Sequence, residues 1–297
     1  MPSPEYDTLV ASLRTSEFTG VRTIEELRAG WERFAASFPP ADDICFEAAD
    51  ANGVASEWVT APGCALDRVI LYFHGGGYTI GTLATYRNFT GHLARATGAK
   101  LLAAGYRLAP EHPFPAALED AVTSYRWLIE QGVPPHRIVI AGDSAGGGLA
   151  LATAVALRDR GNPMPAAIVA ICPSTDLAKE GRSVRERAHL DPIVTYESSM
   201  AHALRYVGKE SNLKNPLASP LYADLHGLPP MLILVGTHES LFDDSTRFAA
   251  KAEAAGVEVE LDIWEGMVHV WPLFADILPE GRQALEKIGE YVRMKVP

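Results

Sequence analysis

The pentapeptide GDSAG at residues 142–146 constrains the fold of this 297-residue chain more than any other segment. It follows the apolar run RIVIA at residues 137–141 and precedes a segment rich in alanine and leucine, so it lies between a predicted strand and a predicted helix. In this context the pattern G-x-S-x-G indicates a sharp turn that projects a serine hydroxyl from the end of a sheet. A side chain at either flanking glycine would collide with neighbouring backbone. Ser144 is therefore a candidate nucleophile, and a glycine-rich turn with an incidental serine fits the flanking segments less well.

Strand-like and helix-like segments alternate along most of the chain. Strand-like runs lie at residues 44–48, 54–60, 68–73, 100–104, 137–141, 166–172, 231–235 and 257–264. Helix-like segments lie at residues 115–131, 147–159, 242–255 and 280–294. A turn at residues 50–53 predicts that the first two strands form a hairpin. The alternation predicts an α/β fold with a mostly parallel sheet and helices on both faces.

Two segments stand outside this alternation. Residues 1–40 are predicted to be helical, because Thr23 and Glu26 match a capping box and apolar residues recur after them at helical spacing. This helix is either a lid over a site or a core helix, and its spacing favours the core. Residues 178–222 are much longer than a usual connection, and Thr195 is placed to cap a helix that ends near Val207. An insertion of this length above the strand ends predicts a second piece of lid.

A glycine-rich loop, HGGGY at residues 74–78, directly follows a predicted core strand. Its glycines leave backbone N–H groups uncovered, and these groups, with the N–H of Ala145, can stabilise an oxygen that becomes negative during acyl transfer. A phosphate-binding loop is the alternative, but no G-K-[ST] follows either glycine cluster. His74 is interpreted as a structural residue that positions the loop.

A serine nucleophile needs a base to take its proton and an acid to orient that base. Among nine histidines, His269 follows the last predicted strand, and a parallel sheet puts that position at the same edge as Ser144. Glu239 is the first acid after the strand at 231–235, whereas Asp243 and Asp244 open the next helix, where acids often serve only the helix end. We predict Glu239 as the acid, with Asp243 as the alternative. The order serine, acid, histidine is that of α/β-hydrolases.

Composition and charge exclude several classes of partner. The formal net charge is −11. A negative charge repels the phosphate backbone of nucleic acids and is not attracted to an anionic bilayer, so neither nucleic acid nor a membrane is an expected partner. No apolar stretch is long enough to span a bilayer, and the first residues lack a signal-peptide pattern. Three sparse cysteines predict no disulfide framework, which fits a cytoplasmic location. No metal site is predicted, because the motif H-E-x-x-H begun at His238 would need histidine where Phe242 stands.

Several longer segments carry a resemblance to a known family. They are HGGGY at 74–78, YRLAPEHPFPAALEDA at 106–121, GDSAGG at 142–147, DPIVT at 191–195, SPLYADL at 219–225 and GMVHVW at 266–271. On these segments the chain resembles the hormone-sensitive-lipase-like carboxylesterases, also called bacterial lipolytic family IV, over about residues 40 to 297. The combination of HGGG upstream of GDSAGG is close to a signature of that family.

The resemblance implies an α/β-hydrolase fold with an eight-stranded, mostly parallel sheet. It implies an N-terminal cap segment at residues 1–40 and a catalytic domain at residues 41–297 with a cap insertion near residues 185–215. The implied catalytic residues are Ser144, Glu239 and His269, and the implied oxyanion hole is formed by Gly75, Gly76 and Ala145. Glu239 stands where the family usually has aspartate, although some relatives are similar in using glutamate. The resemblance further implies a small-molecule ester substrate with a short to medium acyl chain, no cofactor, and a homodimer paired through the final strand and helix.

Two other functions remain as alternatives at this point. The gibberellin receptors resemble the same family but bind a ligand without a catalytic histidine, and the presence of His269 favours an enzyme. An amidase or peptidase on the same scaffold would carry the same three catalytic residues. The residues that set acyl length are open, because the apolar candidates for the pocket also fit a core; they are Phe18, Trp31, Phe34, Met200 and Leu204.

Overall fold

A single eight-stranded sheet organises the protein, for which the computed structural model describes residues 2–14 and 23–297. The strand order across the sheet is β1-β2-β4-β3-β5-β6-β7-β8. The strands are β1 (Cys45–Ala51), β2 (Val54–Thr60), β3 (Ala65–Phe73), β4 (Ala99–Ala104), β5 (Ile138–Asp143), β6 (Ala167–Ile171), β7 (Met231–Gly236) and β8 (Val259–Trp264). The first hairpin and the β2–β4 pair are antiparallel, and the other neighbours run parallel. The predicted α/β fold class is confirmed.

The helices of the described ranges flank this sheet. They are α1 (Pro4–Arg14), α2 (Ile24–Ala35), α3 (Leu83–Thr97), α4 (Ala116–Glu130), α5 (Ala145–Asp159), α6 (Ser183–Glu186), α7 (Tyr196–Val207), α8 (Phe242–Ala254) and α9 (Pro279–Lys295). Thr23 caps α2 through the predicted capping box with Glu26, and Thr195 caps α7 as expected. Both N-cap predictions therefore agree with the structure.

The helix α3 is missing from the sequence-based set. Its segment carries β-branched and aromatic residues and a central glycine, all of which weaken helix propensity. Packing against the rest of the protein stabilises the helix instead. A Cβ atom at Gly91 would lie 3.2 Å from Ile44. Because glycine has no such atom, the helix can pack closely against the segment that leads into β1. Thr82 also caps the helix reciprocally with Thr85.

Two hydrophobic clusters cover the two faces of the sheet. Successive residues of β3 point into different clusters: Leu71 and Phe73 belong to the first cluster, and Ile70 and Tyr72 belong to the second. This is the period of two expected of a strand buried on both faces. Helices α4, α5 and α8 pack on the first face, and α1, α3 and α9 pack on the second. The sheet therefore holds the carboxyl ends of its parallel strands rigidly at one edge.

The helix α2 is tied to the loop that follows the glycine run. Arg28 donates from Nε to the carbonyl of Thr79 at 2.9 Å and from Nη2 to the carbonyl of Ala109 at 3.2 Å. The same guanidinium makes a bidentate ion pair with Glu111, with both bonds at 2.7 Å.

Within the ranges that the structure describes, no helix is both long and apolar enough to cross a membrane.

Candidate active site

The turn between β5 and α5 carries Ser144 in a strained backbone conformation. Its φ of 52° and ψ of −118° lie in a region that non-glycine residues rarely adopt. A side chain on Gly146 would come within 2.0 Å of the Phe73 carbonyl oxygen, and one on Gly142 within 2.3 Å of the Gly146 carbonyl oxygen. Both flanking positions thus exclude a side chain, as the motif predicts.

Among the three predicted catalytic residues, His269 lies within hydrogen-bond distance of both Ser144 and Glu239. His269 Nε2 lies 2.9 Å from Ser144 Oγ, and His269 Nδ1 lies 2.6 Å from Glu239 Oε2. The other carboxylate oxygen of Glu239 accepts the N–H of Gly236 at 2.8 Å, which fixes the carboxylate at the end of β7. Glu239 is fully buried and His269 is 2% exposed. The geometry is that of a nucleophile, a base and an orienting acid.

The alternative acids lie elsewhere. Asp243 accepts hydrogen bonds from the backbone N–H groups of Arg182 and Ser183, at 2.6 and 3.0 Å. The buried carboxylate of Asp244 accepts those of Thr175 and Asp176, both at 2.9 Å. Both acids therefore hold the chain around the loop after β6, and the contacts described for them do not include His269.

Opposing effects act on the pKa of His269. Burial lowers it, because the imidazolium loses hydration, but the hydrogen bond and charge of Glu239, together with nearby carboxylate charges, outweigh burial, and the pKa rises above the ordinary value of 6.5. Asp191 adds to this rise through its charge. The imidazole is thus placed to accept a proton from Ser144 and to hold it beside Glu239.

The glycine loop differs from the prediction at its first glycine. The N–H of Gly75 donates to Asp143 Oδ1 at 2.8 Å and to the Tyr86 hydroxyl at 3.1 Å, so it points into the protein. The geometry therefore contradicts the prediction of Gly75 as an oxyanion donor. Gly76 and Gly77 line the cavity beside Ser144 instead, and their N–H groups have no acceptor in the described part of the chain. The sequence analysis did not name Gly77 as an oxyanion donor, although it is the third glycine of the HGGG run.

Ala145 keeps its predicted place at the site. It begins α5 directly after Ser144 and lines the same cavity, and its N–H also lacks an acceptor within the described residues. The positive end of the helix dipole adds to the attraction that this amide exerts on an anion. Together with the second and third glycines, it offers donors from two different loops.

Asp143 anchors the glycine loop, a role that the sequence analysis missed although the residue belongs to GDSAG. Its carboxylate accepts hydrogen bonds from Tyr72, from Tyr86 at 3.0 Å and from the N–H of Gly75. Burial raises the pKa of Asp143 to about 6, against the lowering effect of these hydrogen bonds.

His74, which the sequence analysis interprets as structural, is buried and its ring stacks on that of Tyr106. Burial lowers the pKa of His74 to about 4.

Asp191 ties the long insertion to the acid loop, and the sequence analysis missed this role as well. One carboxylate oxygen accepts the N–H of Ser240 at 2.8 Å, and the other accepts those of Ile193 and Val194 at 2.9 and 3.0 Å. Ser240 directly follows Glu239, so the insertion supports the loop that carries the acid. In the sequence, the Asp-Pro pair at residues 191–192 was the feature that could have indicated this role.

A cavity of about 460 Å³ lies above Ser144. Leu27 and Trp31 of α2 line it, as do residues of α7. The other pocket candidates do not: Phe34 packs against the face of the sheet that carries α3 and α9, and Met200 and Leu204 are absent from the lining. The remaining candidate, Phe18, lies outside the described residues.

One group of side chains in the described ranges has the donor types of a metal site. Ligand atoms of Cys172, Glu239 and His269 lie within 4.8 Å of one another. Ligands of a tetrahedral zinc ion stand about 3.3 Å apart, whereas the carboxylate and imidazole are separated by 2.6 Å. This spacing fits a hydrogen bond between the two residues and leaves no room for an ion. All three cysteines carry free thiols.

Known proteins resemble this chain along its whole length. The family model described as the alpha/beta hydrolase fold matches residues 70–273. An acetyl-hydrolase of Streptomyces hygroscopicus is 41% identical over 99% of this chain and 97% of its own, and an esterase of Acinetobacter venetianus is 35% identical over 89% and 87%. The crystal structure of an esterase from the bacterial hormone-sensitive lipase family is 47% identical, covers both chains completely and superposes with a TM-score of 0.97.

Proposed function

The chain belongs to the α/β-hydrolase family and is a carboxylesterase of the hormone-sensitive lipase group, and from this premise we propose that Ser144, His269 and Glu239 are its catalytic triad. The observation that carries the proposal is the continuous hydrogen-bonded chain from Ser144 Oγ through both nitrogens of His269 to the carboxylate. Such a chain activates a serine hydroxyl that is otherwise a weak nucleophile.

In the first step Ser144 Oγ attacks the ester carbonyl carbon while His269 Nε2 takes the hydroxyl proton. The buried carboxylate of Glu239 stays ionised and stabilises the imidazolium that forms. His269 then donates its proton to the leaving alcohol, and the acyl group remains on Ser144. In the second step His269 takes a proton from water while the water oxygen attacks the acyl carbonyl carbon, and His269 then returns that proton to Ser144 Oγ as the bond to the acyl group breaks and the carboxylic acid leaves.

The negative charge on the carbonyl oxygen needs donors that are in place before the reaction. We assign this role to the N–H groups of Gly76, Gly77 and Ala145, whose supporting evidence is their place in the cavity lining and their lack of other acceptors among the described residues. Each donor of this kind contributes about 3–4 kcal/mol to transition-state stabilisation. Asp143 holds the loop in register by taking the N–H of Gly75.

We further propose that the N-terminal segment and the insertion near residues 185–215 form one cap over a catalytic domain of residues 41–297. Supporting this, Leu27 and Trp31 come from the first piece, Thr195 and His202 come from the second, and all four line the cavity. A cap of this kind limits the chain that the site accepts to short and medium acyl groups. The chemistry above needs no cofactor.

Replacing the nucleophile tests the proposal directly. Ser144→Ala should lower kcat/KM for p-nitrophenyl butyrate by about 10⁴-fold or more, because the attacking oxygen is gone. Ser211→Ala, at an exposed serine beyond α7, is the matched control and should behave as the unaltered protein does. Turnover by Ser144→Ala close to that of the control would refute the assignment.

A further inference from the structure

Lys179 is a buried cation on the wall of the active-site cavity. Its side chain is 1% exposed, yet it is among the residues that line the cavity. Removing an ammonium group from water is costly unless the protein provides partners for it. A lysine in this place therefore needs an explanation in terms of its contacts.

The described residues satisfy this ammonium only in part. Lys179 Nζ donates to Ser174 Oγ at 3.1 Å. The nearest carboxylate oxygen, Oδ2 of Asp244, lies 3.7 Å away, which is beyond hydrogen-bond distance, and it already accepts two backbone N–H groups. An ammonium has three donors. Donor capacity thus remains for a further oxygen atom.

The backbone holds Lys179 in a conformation that favours glycine. Its φ is 53°, in the left-handed region that costs a non-glycine residue free energy. Strain of this kind at a buried charge persists when the surroundings hold the side chain in one place. Here they hold it beside the cavity rather than in solvent.

The ammonium is also linked to the reacting serine through one intervening residue, Ser174. The N–H of Ser174, whose hydroxyl accepts from Lys179, donates to the backbone carbonyl of Ser144 at 2.9 Å. Arg205 and His202 line the same cavity, and after burial the charges of Arg205 and Lys179 further lower the pKa of His202. Lys179 and Arg205 thus bring positive charge to a lining that also includes the exposed carboxylate of Glu197, and a positive charge attracts electron-rich atoms.

We propose that Lys179 binds a second oxygen atom of the substrate, so that the enzyme prefers esters whose chain carries an oxygen acceptor a few bonds from the scissile carbonyl over hydrocarbon esters of the same length. The inference rests on the proposed function of the cavity as the ester site. It assigns a substrate class to that site, namely oxygenated short-chain esters.

Matched pairs of esters that differ by one CH₂-to-oxygen exchange test this preference. The first pair is p-nitrophenyl 3-methoxypropionate and p-nitrophenyl pentanoate, which differ in the acyl chain. The second is 2-methoxyethyl butyrate and butyl butyrate, which differ in the alcohol. The readout is the ratio of kcat/KM within each pair, compared between the unaltered protein and its variants so that intrinsic ester reactivity cancels.

Lys179→Met keeps the length of the side chain and removes the charge. In at least one pair we expect the preference for the oxygenated ester to fall about tenfold, as for loss of a hydrogen bond from a charged donor. The double variant Lys179→Met/Asp244→Asn removes both buried charges and should show the same fall without an uncompensated carboxylate. Lys251→Met is the matched control, because this lysine bonds to the carbonyls of Leu221 and Ala223 outside the cavity lining.

One result would overturn the inference: a ratio in Lys179→Met that is unchanged in both pairs. If activity on all four esters also fell by the same factor, Lys179 would only hold its loop. Failure of the unaltered protein to hydrolyse any of the four esters would instead count against the proposed function, so the two failures are distinguishable.

Discussion

At the scale of single residues, the proposed role of His269 as the base makes activity depend on the pKa of its imidazole. Only the neutral imidazole accepts a proton from Ser144. Because Glu239 raises the pKa of His269 above 6.5 despite burial, the protonated and inactive form persists to higher pH than for a histidine in water. The acid limb of the kcat/KM profile should therefore lie above pH 6.5.

Replacing the acid tests this dependence. Glu239→Gln removes the charge that raises the pKa of His269, so burial prevails and the acid limb should move to lower pH. In the same variant kcat should fall about 10³-fold or more, since the imidazolium loses its partner. The measurement is kcat/KM for p-nitrophenyl butyrate across pH. Asp243→Asn should leave the profile in place, and the reverse pattern would make Asp243 the acid.

At the scale of elements, contacts between loops and helices hold the site open and in register. The helix α2 lines the cavity with Leu27 and Trp31, and Arg28 on the same helix bonds to the carbonyl that closes the glycine loop. Helix α7 reaches the same loop through His202, whose Nδ1 lies 2.5 Å from Thr79 Oγ1. Helices α2 and α7 are thus both linked to the glycine loop, which carries the proposed oxyanion donors.

Removing the link from α2 should alter binding more than chemistry. In Arg28→Met the helix loses its ion pair with Glu111 and two hydrogen bonds to backbone carbonyls, a loss of about 1 kcal/mol for a half-exposed network. We expect a few-fold rise in KM for p-nitrophenyl butyrate with a smaller change in kcat. Arg126→Met, at an exposed position on α4, serves as the control. A rise in KM of equal size in both variants would contradict the role given to Arg28.

At the scale of the whole molecule, helices α2 and α7 and the edge of the sheet together line the cavity. Its volume of about 460 Å³ must hold both the acyl and the alcohol parts of an ester. Mostly apolar side chains surround it, with basic groups on one wall. The size and the lining favour small substrates over long-chain lipids.

A chain-length series measures this limit. Each methylene that enters the cavity contributes about 0.8 kcal/mol, or about fourfold in kcat/KM. We expect kcat/KM for p-nitrophenyl esters to rise from acetate through butyrate and to fall by laurate, once the cavity is filled. A steady rise to laurate would show that the cap opens and would contradict the proposed short to medium preference.

The homodimer is a further proposal at this scale. Strand β8 lies at the edge of the sheet, its residue Ile263 is 48% exposed, and Met294 of α9 is 63% exposed. Pairing of two copies through β8 and α9 would cover both side chains and the free edge of the strand. Ile263→Glu should convert a dimer to a monomer in light scattering after size-exclusion chromatography, whereas Leu66→Glu, at an exposed residue of β3, should not. A monomeric unaltered protein would refute the proposal.

The sequence by itself determined the features that depend on neighbours along the chain. The turn at Ser144, the helix caps at Thr23 and Thr195, and the order of the strands along the chain follow from local sterics and periodicity. Positions just after predicted strands were enough to select His269 and Glu239, because parallel strands deliver their carboxyl ends to one edge. In the structure His269 lies 2.9 Å from Ser144 and 2.6 Å from Glu239.

Only the tertiary structure decided which groups face the cavity. Gly75, Gly76 and Gly77 are alike in sequence, and the first is diverted because Asp143, which lies 68 positions further along, takes its N–H. Helix α3 and the buried Lys179 likewise depend on partners far away along the chain or on a backbone turn that no periodicity reveals. Contacts between distant segments orient side chains, and a local pattern carries no information about them until the chain has folded.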